Sequence, residues 1–338
     1  MPVPRLTGKG EVRVPSTPPA AIAAPHATPT SRLYADIALL VAAAVWGISF
    51  LFQKSAMDHV GPLAFIAARS VVAALALAPL ALRERRRAAG PAGARFWLVA
   101  VSGGLAFFAA AWLQQTGLRS ATVTNSSFLT ALYVVLTPFV VWAWGGKVPA
   151  LVVWPAVALS ALGTWLLGGG GSLTAFSAGD RLVALSALFW AIHVVVTGRA
   201  SHYRRPIAFT AIQFTVVAAL AGGSSPLLET TTLAGLSAAA VDIAYVGLLS
   251  SALTFTVLTL ALQYTPPSEA AVIVSMETVF AALAAYLVLG ELLAPVGWTG
   301  AGLILAATLL VQVGPTLRTR WSRPRRAADR DTAERIER

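Results

Sequence analysis

The sequence predicts an all-α integral membrane protein in which ten transmembrane helices form two inverted five-helix repeats. Three observations lead to this prediction: the composition, ten long apolar runs, and an internal repeat that needs no gap. Hydrophobic residues make up 57% of the chain and charged residues 12%, about half of the charged share that is typical of soluble proteins. The mean hydropathy of +0.73 agrees with this. Because whole helices are apolar rather than single faces, lipid is the expected solvent.

The ten apolar runs are long enough to cross, as helices, most or all of the roughly 30 Å hydrocarbon core of a bilayer. In the first half they are residues 36–55, 62–82, 96–117, 124–144 and 149–168. In the second half they are residues 181–198, 206–222, 241–263, 270–289 and 296–314. The stretch 169–180, which reads GGGSLTAFSAGD, predicts a flexible connector between the two halves.

The remaining chain forms two tails. Residues 1–35 are rich in Pro, Ala and Thr and lack the apolar segment of a signal peptide, so we expect a disordered cytoplasmic tail. Residues 36–168 and 181–314 are the two predicted repeats. Residues 315–338 are rich in arginine and are expected to form a basic cytoplasmic tail.

The internal repeat appears when the chain is compared with itself at an offset of 144 residues. This offset pairs Trp46 with Trp190 and Pro62 with Pro206. A shared apolar bias explains matching alanines, but it does not explain paired Trp and Pro residues. Since each repeat holds an odd number of spans, the second repeat must cross the membrane in the opposite sense to the first.

The distribution of Lys and Arg predicts the orientation. With the N-terminus inside, most of the basic residues fall in cytoplasmic segments, and the outer loops keep only Arg119 and Arg181. This is the positive-inside pattern. We therefore expect a multi-pass protein of the plasma (inner) membrane with both termini in the cytoplasm.

Two charged residues lie inside predicted spans, Arg69 in the second and Glu277 in the ninth. Each would cost roughly 2.5–3.5 kcal/mol at the centre of an isolated membrane helix, so such residues usually face a cavity or one another. In one interpretation Glu277 binds a cationic group or takes up a proton. In the other, Arg69 and Glu277 form a permanent ion pair that only fixes the packing.

Further polar and aromatic residues within the spans are candidates for the same path. At the repeat offset, Asn125 and Tyr133 of the fourth span correspond to Glu269 and Glu277 of the ninth. Packing or hydrogen bonding between helices is the alternative role for all of these side chains. The complete set of predicted path or coupling residues is Glu277, Arg69, Asn125, Tyr133, Trp46, His193, Trp190 and Gln115.

Several kinds of site are not expected. The chain has no Cys and only four His, none of them at ligand spacing, so neither a thiolate nor a metal site is predicted. Gly146 and Lys147 lack the rest of a P-loop, so no cofactor is expected and gradients would supply the energy. The expected partners are a small-molecule substrate, membrane lipid and protons, and not nucleic acid, because basic residues do not alternate with aromatics on one face.

Four stretches together resemble the EamA-type transporters of the drug/metabolite transporter superfamily, over about residues 36 to 314. They are VWGISF (45–50), the Pro-x-x-Phe-x-x-x-Arg pattern that opens the second span, GLRSATVTNSSFLTALYVVLTP (117–138), and the stretch 261–306 with its METVF sequence. The chain departs from the family pattern at Thr278, where many members have proline after the glutamate. It also departs at Lys147, where the first repeat often carries an acid like Glu291.

The resemblance implies alternating access for a small metabolite, with amino acids or related compounds as the expected cargo and export as the expected direction. It implies a transporter and not an enzyme. An integral membrane enzyme is the alternative from another class, and it would need clustered catalytic groups at one interface. A channel would show flux without counterflow, and a receptor would show binding without flux. The residues alone leave the substrate, direction, coupling ion and oligomeric state open.

Overall fold

A computed structural model describes residues 28–88, 90–145, 148–167, 177–290, 292, 295–307 and 309–310. All regular elements in these ranges are helices. Residues 1–27 and 315–338 of the predicted tails, and most of the predicted connector, lie outside the described residues, as do Lys147 and Glu291. The described ranges contain eight helical stretches that are long and apolar enough to cross a membrane.

The first half begins earlier than the apolar pattern predicts, at Pro29 rather than at residue 36. Thr28 caps this helix by accepting a hydrogen bond from the Ser31 N–H at 3.2 Å, and proline is well suited to the first helical position. The helices of this half are α1 (Pro29–Ala56), α2 (Pro62–Arg87), α3 (Ala94–Leu118), α4 (Val123–Thr130), α5 (Tyr133–Ala143) and α6 (Val153–Leu167).

The second half contains the only π-helical stretch among the described residues, Tyr245–Leu253. It joins α10 to α11 within one continuous span. The helices of this half are α7 (Ala178–Ser201), α8 (Pro206–Leu228), α9 (Leu233–Ala238), α10 (Ala240–Ala244), α11 (Thr254–Ala261), α12 (Pro267–Val274), α13 (Glu277–Leu289) and α14 (Pro295–Ala307). Both α6 and α14 are apolar, but they are shorter than the eight long stretches.

The repeat is visible in the breaks between helices. The span formed by α4 and α5 is interrupted at Ala131–Leu132, and the span formed by α12 and α13 is interrupted at Ser275–Met276. These positions are equivalent at the repeat offset of 144 residues. The second break lies immediately before Glu277, so this span is broken even though position 278 is threonine and not proline.

Reciprocal caps join the equivalent helices α2 and α8. Near the end of α2, the Glu84 carboxylate accepts hydrogen bonds from the N–H groups of Ile207 (3.2 Å) and Ala208 (2.7 Å) at the start of α8. Just after α8, Glu229 does the same for two N–H groups in the first turn of α2, both at 2.9 Å. Each helix therefore ends where the other begins, and the two run antiparallel. Equivalent helices that run in opposite directions are what an inverted repeat requires.

Candidate functional site

A cavity of about 70 Å³ lies at the centre of the bundle and is lined by residues of both halves. Six of the eight residues that were predicted to line a path are found in its wall: Trp46, Arg69, Tyr133, Trp190, His193 and Glu277. The packing of seven helical spans around one point thus brings together side chains that lie far apart in the sequence.

The other two predicted residues lie elsewhere. Gln115 is buried, and its Nε2 donates to the Gln53 carbonyl at 2.9 Å, which ties α3 to α1. Asn125 lies in the first turn of α4, where its N–H donates to the capping Thr122 hydroxyl at 3.1 Å. In place of Gln115 the neighbouring Gln114 lines the cavity, because one position along a helix turns a side chain by about 100°.

Glu277 owes its position to the helix break. It is the first residue of α13 and its side chain is buried. α1 approaches it closely at Gly47, where an added Cβ would lie 2.6 Å from the Glu277 carbonyl oxygen. Tyr133, the equivalent first residue of α5, is also buried and lines the same cavity. The pseudo-symmetry of the repeats therefore places these two residues in one cavity wall.

Arg69 projects from α2 into the same cavity and is also buried. Its Cζ lies 5.7 Å from the ring centroids of both Phe65 and Phe107, which is cation–π distance. Among the described residues Arg69 makes no ion pair with Glu277. The permanent ion pair that the sequence left open is thus not present, and both charges face the cavity separately.

Aromatic rings form most of the remaining wall. Phe107 of α3 and Phe255 of α11 lie 4.9 Å apart between ring centroids, with Trp190 at 5.0 Å from Phe107 and Trp46 at 4.8 Å from Phe255. The sequence did not single out the two phenylalanines, because nothing distinguishes them from the other Phe residues of the chain. The Trp46 indole N–H donates to the Ser250 carbonyl in the π-helical stretch at 2.8 Å, and π-helical turns are frequent at functional sites.

His193 uses one ring nitrogen for a hydrogen bond between helices. Its Nε2 lies 2.9 Å from the Gln213 Oε1, so with this amide orientation Nε2 carries the proton and Nδ1 is left as an acceptor.

Around the cavity, five buried polar atoms have no hydrogen-bond partner within the described part of the chain: Arg69 Nε, Tyr133 Oη, Trp190 Nε1, His193 Nδ1 and Glu277 Oε1. Because unpartnered buried polar atoms are costly, this set is suited to a polar occupant.

An ion pair holds the N-terminal end of α1 against the start of α12. Arg32 forms an ion pair with Glu269 in the first turn of α12, and its Nε lies 3.7 Å from Asp36. The Thr265 hydroxyl donates to Asp36 at 2.8 Å. Arg32 and Glu269 are far apart in the chain, and no local pattern indicates that they meet.

The C-terminal end of α1 is held in a different way. The Lys54 ammonium donates to the backbone carbonyls of Leu118 (2.8 Å), Arg119 (3.2 Å) and Ala121 (3.0 Å). These carbonyls belong to the end of α3 and the turn that follows. The cavity therefore lies between two polar closures, one at each end of α1.

This architecture matches a known family. The family model described as the EamA-like transporter family matches the chain twice, over residues 33–169 and 177–313. The chain belongs to the EamA-like transporter family. It is accordingly a multi-pass membrane transporter, and each of the two family matches covers one half of the pseudo-symmetric fold.

The names of similar proteins support the assignment to a transporter family. An uncharacterized transporter of Archaeoglobus fulgidus is 34% identical over 288 residues, which are 83% of this chain and 87% of that protein. The uncharacterized transporter YwfM of Bacillus subtilis is 27% identical over 289 residues, 82% of this chain and 93% of the relative. A solved crystal structure superimposes with a TM-score of 0.67 at 15% identity, over 82% of this chain and 97% of the other. That structural likeness supports the fold alone.

Proposed function

We propose that this EamA-family protein is a secondary transporter that exports a small zwitterionic metabolite, an amino acid or a related compound, by alternating access. In this proposal α6 and α14 complete ten membrane helices, both termini lie in the cytoplasm, and the membrane is the plasma membrane. The observation that carries the proposal is the cavity between two antiparallel halves, with one unpaired acid and one unpaired base in its wall.

The size and charge of the cavity suggest the kind of substrate. A water molecule needs roughly 10–15 Å³ on this measure of volume, so about 70 Å³ holds about five water molecules or one small solute. Glu277 would receive an ammonium group and Arg69 a carboxylate, while the rings of Phe107 and Phe255 enclose the rest. Export is proposed from the resemblance to amino-acid exporters.

The two closures of α1 suggest how access alternates. Separation of Arg32 from Glu269 would open the cavity to the cytoplasm, and release of Lys54 from its three carbonyls would open it to the opposite side. Both closures are present together in this structure, and in the proposed cycle they would be released in turn. Protonation of Glu277 is the proposed means of coupling, since an occupant cation and a proton compete for one carboxylate.

The proposal is tested by counterflow of radiolabelled amino acids in proteoliposomes, with the parent compared to Glu277→Gln at two pH values. We expect the parent to exchange substrate. We expect Glu277→Gln to exchange about tenfold more slowly or more, or to lose the pH dependence, since a charged hydrogen bond contributes roughly 1.5–3 kcal/mol.

The matched control is Asp58→Asn, which makes the same carboxylate-to-amide change at an exposed position and should leave exchange unchanged. Normal exchange by Glu277→Gln at both pH values would show that the acid serves packing only. Flux without counterflow in the parent would favour a channel and contradict alternating access. Exchange of other metabolites, with none of amino acids, would overturn the substrate and retain the mechanism.

A further inference from the structure

A second cleft, of about 470 Å³, lies at the junction where α2 ends and α8 begins. Its size falls within the roughly 300–1,000 Å³ range of small-molecule sites. Three of its lining residues are arginines: Arg83 and Arg87, one helical turn apart on α2, and Arg204, in the loop before α8. No residue of the central cavity takes part in it.

Within the part of the chain that the structure describes, the three guanidinium groups have no partner. Arg83, Arg87 and Arg204 make no ion pair or side-chain hydrogen bond with any described residue, and all three are exposed. The adjacent Arg205, by contrast, donates to the Gly90 carbonyl. The cleft also contains Glu84, but both of its oxygens accept hydrogen bonds from the N–H groups of α8, which offset that negative charge.

The opposite end of the same helix pair provides an internal comparison. There Glu229 caps α2 as Glu84 caps α8. At the offset of 144 residues, the positions equivalent to the three arginines are Leu227, Thr231 and Val60. The fold thus forms the carboxylate-capped junction without any arginine, so the junction itself does not explain the three at this end.

The backbone at Arg204 gives a second, independent indication. Its φ is 55°, and it is the only residue other than glycine with a positive φ in the described ranges. Glycine or asparagine is favoured in this conformation, and strained backbone at other residues tends to occur at functional sites. Helix-dipole stabilisation explains basic residues in the last turn of α2, but it does not explain an arginine at this strained position.

The cleft is polar at one end and apolar at the other. Leu80, one turn deeper along the α2 span, Ala88 and Ile207 complete its lining, and Leu80 is exposed at the surface. If the three arginines held the phosphate of a larger ligand, the rest of that ligand would therefore lie against apolar surface that faces the bilayer. Basic pockets between membrane helices at the cytoplasmic surface suit phospholipid headgroups, whereas a soluble phosphate would leave the apolar end empty.

We propose that Arg83, Arg87 and Arg204 form a binding site for the headgroup phosphate of an anionic phospholipid. The lipid binds at the α2–α8 junction, with its phosphate among the three guanidinium groups and its glycerol and first acyl carbons against Leu80 and Ile207. This site is separate from the central cavity, so the lipid is a bound component of the transporter and not its cargo.

The test is native mass spectrometry of the delipidated full-length protein, titrated with dioctanoyl phosphatidylglycerol and, separately, with the phosphatidylcholine of the same chain length. Three variants are compared: Arg83→Gln/Arg87→Gln, Arg204→Asn, and the control Arg85→Gln/Arg86→Gln. The control removes the same charge from the same turn, but Arg85 and Arg86 do not line the cleft. Arg204→Asn removes charge while asparagine tolerates the left-handed backbone.

We expect the parent to bind phosphatidylglycerol in preference to phosphatidylcholine. We expect affinity to fall about fivefold for each cleft arginine removed and to stay within about twofold in the control. An equal loss in the control and the cleft variants would overturn the site, because that result means unspecific attraction. Displacement of the lipid by glycerol 3-phosphate at similar concentration would overturn the lipid assignment in favour of a soluble phosphate. If the double variant does not fold, Arg204→Asn decides alone: undiminished binding contradicts the proposal.

Discussion

At the scale of the residue, Gly47 determines how closely α1 can approach the acid of the central cavity. A Cβ at this position would lie 2.6 Å from both the Glu277 carbonyl oxygen and the Phe280 Cβ, and 2.8 Å from the Ala281 nitrogen. Two of these atoms are backbone, which a rotamer change cannot move aside. The small residue is thus required by the helix contact and not by its own conformation.

The first prediction follows from this contact. Gly47→Ala is expected to push α1 away from α13 and to lower stability by about 1–3 kcal/mol, the usual cost of overpacking. It is also expected to slow counterflow, since the cavity wall moves. Thermal unfolding in detergent, together with counterflow, measures both effects.

The matched control is Gly223→Ala in α8, where an added Cβ meets nothing within 4 Å. That variant should be neutral or more stable, because alanine favours a helix over glycine by up to about 1 kcal/mol. Should Gly47→Ala be as stable as Gly223→Ala, the close approach of α1 and α13 would be wrong.

At the scale of the element, the α2–α8 pair is held by one carboxylate at each end. Glu84 and Glu229 occupy equivalent ends of equivalent helices, and each satisfies two N–H groups that the helix start leaves without internal partners. A negative charge at a helix N-terminus is also favoured by the helix dipole. The pair is therefore expected to stay together while other helices move during transport.

The second prediction concerns these caps. Glu84→Gln and Glu229→Gln each lose the charge and one acceptor oxygen, so each is expected to reduce stability by about 0.5–2 kcal/mol. The two effects should add to within about 0.5 kcal/mol, since the caps lie at opposite ends of a helix roughly 40 Å long. Chemical unfolding of both single variants and of the double variant measures this. A double variant that is no less stable than either single one would contradict independent caps.

At the scale of the whole molecule, α1 is tied at one end through Arg32 and at the other through Lys54. The third prediction is that Arg32→Gln weakens only the first closure and favours the state that is open to the cytoplasm. A cysteine is introduced in the cavity wall by Ser49→Cys, which the absence of native Cys makes unique. Labelling by a membrane-impermeant thiol reagent in inside-out vesicles should then become several times faster.

Arg32→Lys is the control, because it keeps the charge and retains most of the closure. Unchanged labelling in Arg32→Gln would show that this ion pair does not close the cavity. Faster labelling in right-side-out vesicles instead would contradict the proposed orientation of the chain.

Much of the architecture could be predicted from local patterns. Long apolar runs located the eight long apolar helical stretches of the described residues to within several residues, since the solvent acts on each segment separately. The offset that pairs Trp46 with Trp190 also pairs the helix breaks before Tyr133 and Glu277, because a duplicated sequence forms the same local structure twice. The eight candidates for the path were chosen for being polar or aromatic within a span, and six of them line the cavity.

The contacts among these residues could not be predicted in the same way. Whether Arg69 pairs with Glu277, or Gln114 rather than Gln115 faces inward, depends on the rotation of each helix about its axis, and a helix that is apolar all round does not reveal its rotation. Arg32 meets Glu269, and Arg83 and Arg87 meet Arg204, only because distant helices pack side by side. Whether a segment lies in lipid or in water is thus a property of that segment that can be recognised in the sequence, whereas the partners of each buried charge follow from the packing of all the helices together.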